Sequence, residues 1–274
     1  LILTILSLVS FITPVNADVK VVTSIKPLHS LASYLMDGVG KPDLIVDGYA
    51  SPHGFAMKPS HAKMLQNADL IFWVGEDLES FLEKPLSSIA KKAEKIELME
   101  IKGLNVLKFR ERNIFDEHDH DDHDDHGKKE DDHDDHDHDE HAKKEEHDDH
   151  DDHDGHEGHA HGEYDPHIWL DPMNAKVILN EMVEHLIEND AKNAAKYKSN
   201  LKKALKEINK LNKDVKAELS KSTASIVFHD AYQYFEERYD VNILGAFTVN
   251  TDVMPGAEQL AQIREIIEHD KVSC

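Results

Sequence analysis

Apolar and polar positions follow two rhythms along this chain, and their order predicts the architecture. Short β-branched or wholly apolar runs read as strands, and longer stretches with apolar residues three or four apart read as helices. "VKVVTSI", from Val19, is the first strand. "PLHSLASYLMDG" follows as a helix, with Pro27 suited to a first turn and Gly38 to a stop. "PDLIVDG" is the next strand, "KPSHAKMLQNA" a helix, and "LIFWVG" a fully buried strand. A helix around "LESFLEKPLSSIAKKA" and a strand "KIELME" complete the series. Strand, helix and strand in this order predict an α/β fold with a parallel sheet flanked by helices.

"YDPHIWLDP" reads as a further strand bounded by two prolines. From Met173 to Leu244 there is then no Gly and no Pro. Within that span Ala194, Tyr197, Leu201, Leu205, Ile208, Leu211, Val215 and Leu219 make one apolar helical stripe. It predicts a helix of about 30 residues spanning about 45 Å, a rigid spine between two lobes. Alternation restarts with the strand "ASIVFHD", the helix "AYQYFEERYD", the strand "NILGAFTV" and the helix "GAEQLAQIREIIEHD". "KVSC" then reads as the start of another strand, so the second lobe is expected to be truncated in this chain. Cys274, the one cysteine and the last residue, is expected to pair with a cysteine beyond it.

The expected organisation is a signal peptide over 1–17 and an N-terminal α/β lobe over 18–189. A linking spine helix over 190–220 and the start of a C-terminal α/β lobe over 221–274 follow. The leader "LILTILSLVSFITPVNA" is an apolar run closing on small residues, which predicts cleavage after Ala17. It is too short for a membrane-spanning helix, and no Cys follows it to carry a lipid. An exported protein is the expectation.

Charge changes the picture because it is concentrated. The formal net charge is −24, and residues 116–163 hold 24 Asp or Glu against four Lys, leaving the remainder near neutral. No basic patch suggests a nucleic-acid partner. The acidic segment also holds 14 of the 21 histidines: His118, His120, His123, His126, His133, His136, His138, His141, His147, His150, His153, His156, His159 and His161. Almost without apolar residues, it cannot offset its ordering entropy and is expected to be a disordered insertion in the first lobe. Imidazole ligates Zn²⁺, Cu²⁺ and Ni²⁺, and the carboxylates favour any cation, so many weak metal sites are expected and no single tight one. Within it, His118 to His123 matches the H-x-H-x-D-H signature of metallo-β-lactamase-like hydrolases. An acidic His repeat meets such patterns by accident, and no H-E-x-x-H occurs.

Seven histidines lie outside the run. His29, His61, His185 and His269 fall in helical segments, where packing or surface roles are expected. His53, His167 and His229 sit at or just after apolar strands, where loops of open α/β sheets build ligand sites. Taken singly, each is as compatible with a hydrogen-bonded structural histidine.

Three segments in order carry a resemblance: "ASPHGFAMKPSHAKMLQNADLIFWVGEDLESFLEKPL", "DPHIWLDP" and "FHDAYQYFEERYDVNILGAFTVNTDVMPGAEQLAQIREIIE". Together with the His-rich insertion between the first two, they resemble the periplasmic zinc-binding proteins of high-affinity zinc ABC transporters, over nearly all of residues 18–274. The resemblance implies two α/β lobes joined by a long helix, and metal in the cleft between them. Carried over by position, the zinc ligands are His53, His167 and His229, and a third imidazole where manganese-binding relatives tend to have Glu fits Zn²⁺. Pro52 stands where some relatives have a carboxylate, and the C-terminal segment that supplies a fourth ligand in many relatives is not in this sequence. Asp165 and Asp171 flank His167 and are candidates to orient it. The function implied is capture of zinc for an inner-membrane ABC permease by a monomer that catalyses nothing. The alternative is a zinc-sequestering or buffering protein in which the run is the main binder.

Overall fold

The structure is a computed structural model and describes residues 19–110, 162–219, 224–248, 254–269, 272 and 274. The leader and the metal-binding histidines expected from His118 to His161 lie outside those residues. The described residues form one compact unit.

The first sheet arises from β1 (Val21–Thr23), β2 (Asp43–Leu44), β3 (Leu70–Trp73) and β4 (Glu94–Glu97). Its order is β2-β1-β3-β4, with every pairing parallel. Leu70 to Trp73 are all buried, as an unbroken apolar run with helices on both faces requires. The crossovers are α1 (Lys26–Leu35), α2 (Pro59–Asn67) and α3 (Glu76–Ser88). Pro27 sits in the first turn of α1, and Gly38 takes a positive φ of 75° in the turn after it. Leu28, Leu35, Phe72 and Leu82 are fully buried, each contributing about 1.5–3 kcal/mol.

Helix α4 (Pro172–Asn189) completes this core with Ile178, Leu179, Met182 and Leu186. Asp171 caps it by accepting a hydrogen bond from the Met173 N–H, and Pro172 opens its first turn. A 3₁₀ turn then leads into α5 (Ala194–Glu218), 25 residues long and hence about 38 Å. Tyr197 donates to Asp190, and Asn200 donates to the carbonyls of Leu35 and Asp37, which docks the start of α5 on α1. The apolar stripe is covered at Tyr197, Leu201, Leu205 and Ile208, but Leu211 is 55% exposed.

The second sheet pairs β5 (Ser225–His229) with β6 (Ile243–Thr248) in parallel across α6 (Gln233–Tyr239). Helix α7 (Ala257–His269) follows, and the Cys274 carbonyl accepts from the Ile226 N–H beside β5.

One predicted element differs. "YDPHIWLDP" is no strand: Tyr164 makes a single antiparallel bridge to Lys108, and Ile168–Leu170 is a 3₁₀ turn. Only three apolar residues lie between His167 and the helix cap Asp171, and Ile168 turns wholly into the core. So short an apolar run cannot distinguish a strand from a turn by pattern.

Candidate metal centre

Three segments distant in sequence deliver the site. His53 lies on the loop between β2 and α2, His167 stands just before the 3₁₀ turn, and His229 is the last residue of β5. Each segment leaves its side chain beyond a strand end or at a bend. There the backbone is free to turn and the imidazole can face a cleft rather than a sheet neighbour. Their ring centroids are 5.6 Å (His53–His167), 5.2 Å (His53–His229) and 5.1 Å (His167–His229) apart. One nitrogen from each ring falls within 4.8 Å of the other two. Among the described residues this donor group contains no carboxylate.

Asp165 fixes the middle imidazole. Its Oδ1 accepts the His167 backbone N–H at 2.9 Å and lies 2.6 Å from His167 Nδ1, both residues being buried. Facing a carboxylate, Nδ1 carries the ring proton, so Nε2 presents its lone pair. That Nε2 stands 3.3 Å from Nε2 of His229. Two nitrogens bound tetrahedrally to one ion at about 2.05 Å are themselves about 3.3 Å apart, so the pair already has the spacing of two ligands. Burial, and then the proximity of His167, pushes His229 down to about 4. Its ring is therefore neutral across the ordinary pH range and able to ligate.

Asp171 does something other than orient His167. Besides capping α4, it receives Arg238 in a two-pronged ion pair, Nε to Oδ1 at 2.7 Å and Nη2 to Oδ2 at 2.6 Å. Arg110 likewise reaches the second sheet's elements, 3.2 Å from Asp230 and 2.7 Å from Glu236. Burial raises Asp230 to about 6 even against the charge of Arg110. The Tyr234 hydroxyl donates to the Asp165 carbonyl at 2.6 Å and accepts from the Leu107 N–H at 3.1 Å. These contacts lock α6 and the end of β5 to the segments around His167, so the imidazoles of His167 and His229 are held on one hydrogen-bonded frame.

Arg110, Arg238 and Tyr234 were not singled out from the sequence. A signal existed: Arg supplies only four of the 31 basic residues, and Arg is the side chain suited to forked carboxylate pairs. His61, expected to pack, is buried and accepts the Lys58 N–H at the start of α2. His29 contacts the Pro42 carbonyl. His185 is engaged by carboxylates far from the three clustered histidines in sequence.

A profile of the family described as zinc-uptake complex component A, periplasmic (ZnuA), matches residues 21–274. The high-affinity zinc uptake system protein ZnuA of Brucella abortus is 46% identical over 256 residues, covering 93% of this chain and 75% of its own. Its counterpart in Yersinia pestis is 35% identical, covering 93% and 74%. A crystal structure of ZnuA superposes with a TM-score of 0.67 at 19% identity, covering 93% of this chain and 80% of its own, and so shares the fold. The parallel sheets, the long helix and this agreement over nearly the whole chain lead to one conclusion: the protein belongs to the ZnuA family of periplasmic zinc-uptake components.

Proposed function

We propose that this protein captures Zn²⁺ with His53, His167 and His229 and delivers it to an inner-membrane ABC permease for zinc import. The observation that carries the proposal is the convergence of three imidazole donors, two of them 3.3 Å apart. Three neutral nitrogens with an open fourth position are a familiar zinc arrangement, and water or an oxygen donor completes it. The protein acts as a monomer in the periplasm after cleavage behind Ala17, and catalyses nothing: zinc leaves as it arrived.

Each residue has a role by its chemistry. Asp165 holds His167 in the tautomer that presents Nε2 and fixes the direction of its ring. The depressed His229 limits competition from protons. The Arg238–Asp171 and Arg110–Asp230 pairs keep the ligands prearranged, which lowers the ordering cost of binding. The run from His118 to His161 is an accessory of weak sites that collects zinc, not the tight site.

The test is competitive zinc titration of single alanine variants. His53→Ala, His167→Ala and His229→Ala each weaken tight binding at least ~10-fold, or about 1.4 kcal/mol. Comparable losses in His29→Ala and His61→Ala, with those three silent, overturn the assignment.

A further inference from the structure

We propose that Glu94, His185 and Glu188 form a second divalent-cation site, on the edge of the first sheet and apart from the three clustered histidines. Strand β4 is the last in the order β2-β1-β3-β4, and Glu94 is its first residue. His53 follows β2 and His229 ends β5, so those ligands lie past the C-terminal ends of strands, whereas Glu94 opens one. His185, Glu181 and Glu188 share a face of α4 at helical spacing.

The donor atoms of Glu94, His185 and Glu188 lie within 4.8 Å of one another. His185 Nδ1 is 2.7 Å from Glu94 Oε1 and 3.8 Å from Glu188 Oε2. Its Nε2 is 3.3 Å from Glu181 Oε1. Asn189 holds the assembly in place, its Nδ2 donating to Glu94 Oε2 at 2.8 Å and to the His185 carbonyl at 3.0 Å.

Both ring nitrogens therefore face carboxylate oxygens, yet a neutral imidazole has one N–H. Without a metal, that N–H sits on Nδ1, 2.7 Å from Glu94 Oε1, rather than on Nε2, 3.3 Å from Glu181 Oε1. Among the described ion pairs, Glu94, Glu181 and Glu188 have no Lys or Arg partner. A metal cation bound at Nδ1 takes the place of that proton, and the N–H then passes to Nε2, facing Glu181. The donor set, one imidazole and two carboxylates with an N–H donated to a third, suits Zn²⁺, Mn²⁺ or Co²⁺ with water completing the shell.

The geometry needs little adjustment. Ligands around an ion with bonds of about 2.1 Å stand a little over 3 Å apart, so Glu94 must retreat slightly and Glu188 approach. The Glu94 and Glu188 side chains are 40% and 69% exposed and can do so. Such a site exchanges freely with solution and clips α4 to β4. Its exposure makes it weaker than a site built of three inward imidazoles.

Residue-resolved acylation of histidine by diethyl pyrocarbonate, read by peptide mass spectrometry on the full chain, tests this. Zinc ligation blocks the ring nitrogen. Once one equivalent of zinc is bound, further zinc up to ~1 mM slows acylation of His185 by about fivefold or more. In a Glu94→Gln/Glu188→Gln variant, and to a lesser degree in Glu188→Gln alone, the same zinc has at most half that effect. A His185 rate that ignores zinc overturns the proposal, as does equal slowing in wild type and both variants. The readout is at His185 alone, so loss of the tight site through His53, His167 or His229 would register separately.

Discussion

Nε2 of His229 stands 3.3 Å from Nε2 of His167, while Nδ1 of His167 is engaged by Asp165 at 2.6 Å. The spacing makes the pair a waiting chelate, because the tautomer set by Asp165 turns a lone pair toward its neighbour. Asp165→Asn keeps an acceptor for the Nδ1 proton but weakens the charge-assisted hydrogen bond that holds the ring. Zinc affinity is expected to fall about 10-fold, and up to about 100-fold for Asp165→Ala, which also frees the His167 N–H. Competitive titration with a fluorescent chelator reads both, and unchanged affinity in Asp165→Ala would remove Asp165 from the mechanism.

The Arg238–Asp171 pair ties α6 to the start of α4, with Asp171 almost wholly buried. Arg238→Ala leaves that carboxylate without its partner and is expected to cost about 2–3 kcal/mol in urea unfolding. A double-mutant cycle with Asp171→Asn should give a coupling of about 1–2 kcal/mol. Additive single effects would mean that the pair does not lock α6.

Glu79 gives a pH signature. It is fully buried in α3, accepts the Val74 and Gly75 N–H groups, and is pushed up to about 7, chiefly by burial. An unfolded Glu titrates near ~4.3. Because the folded value is raised, the protonated carboxyl favours the folded state. The contribution is full below about pH 4.3 and is lost as pH rises through about 7. Across that window it amounts to up to about 3 kcal/mol. Glu79→Gln cannot ionise, so its stability between pH 5 and pH 8, followed by urea melts, should be flatter than wild type by ~1–3 kcal/mol. Parallel profiles for the two proteins would contradict the assignment of this slope to Glu79.

The first sheet was legible because β1 is a β-branched run and β3 an unbroken apolar run, and because β2 and β4, which hold polar residues, follow predicted helices. Leu70 to Trp73 could hardly be anything but a strand buried on both faces. The turn at Ile168–Leu170 was not legible: three apolar residues between an imidazole and a cap have no period. The long stripe was legible as a helix, though α5 itself is 25 residues after a 3₁₀ turn and Leu211 within the stripe stays exposed. His53, His167 and His229 could be picked out by their places near chain bends, but only folding puts residues up to 176 positions apart within 4.8 Å. The carboxylates that govern them split in a way sequence distance cannot show. Asp165 lies two residues before His167 and Asp171 four after it, yet one binds its ring and the other binds Arg238.

Deletion of residues 116–161 followed by competitive zinc titration tests the central claim most directly, since it removes every histidine of the run and leaves His53, His167 and His229. The account predicts one tight zinc per chain, with affinity within ~10-fold of the full chain, or about 1.4 kcal/mol. Loss of all tight binding would make the run the main binder and the protein a zinc buffer.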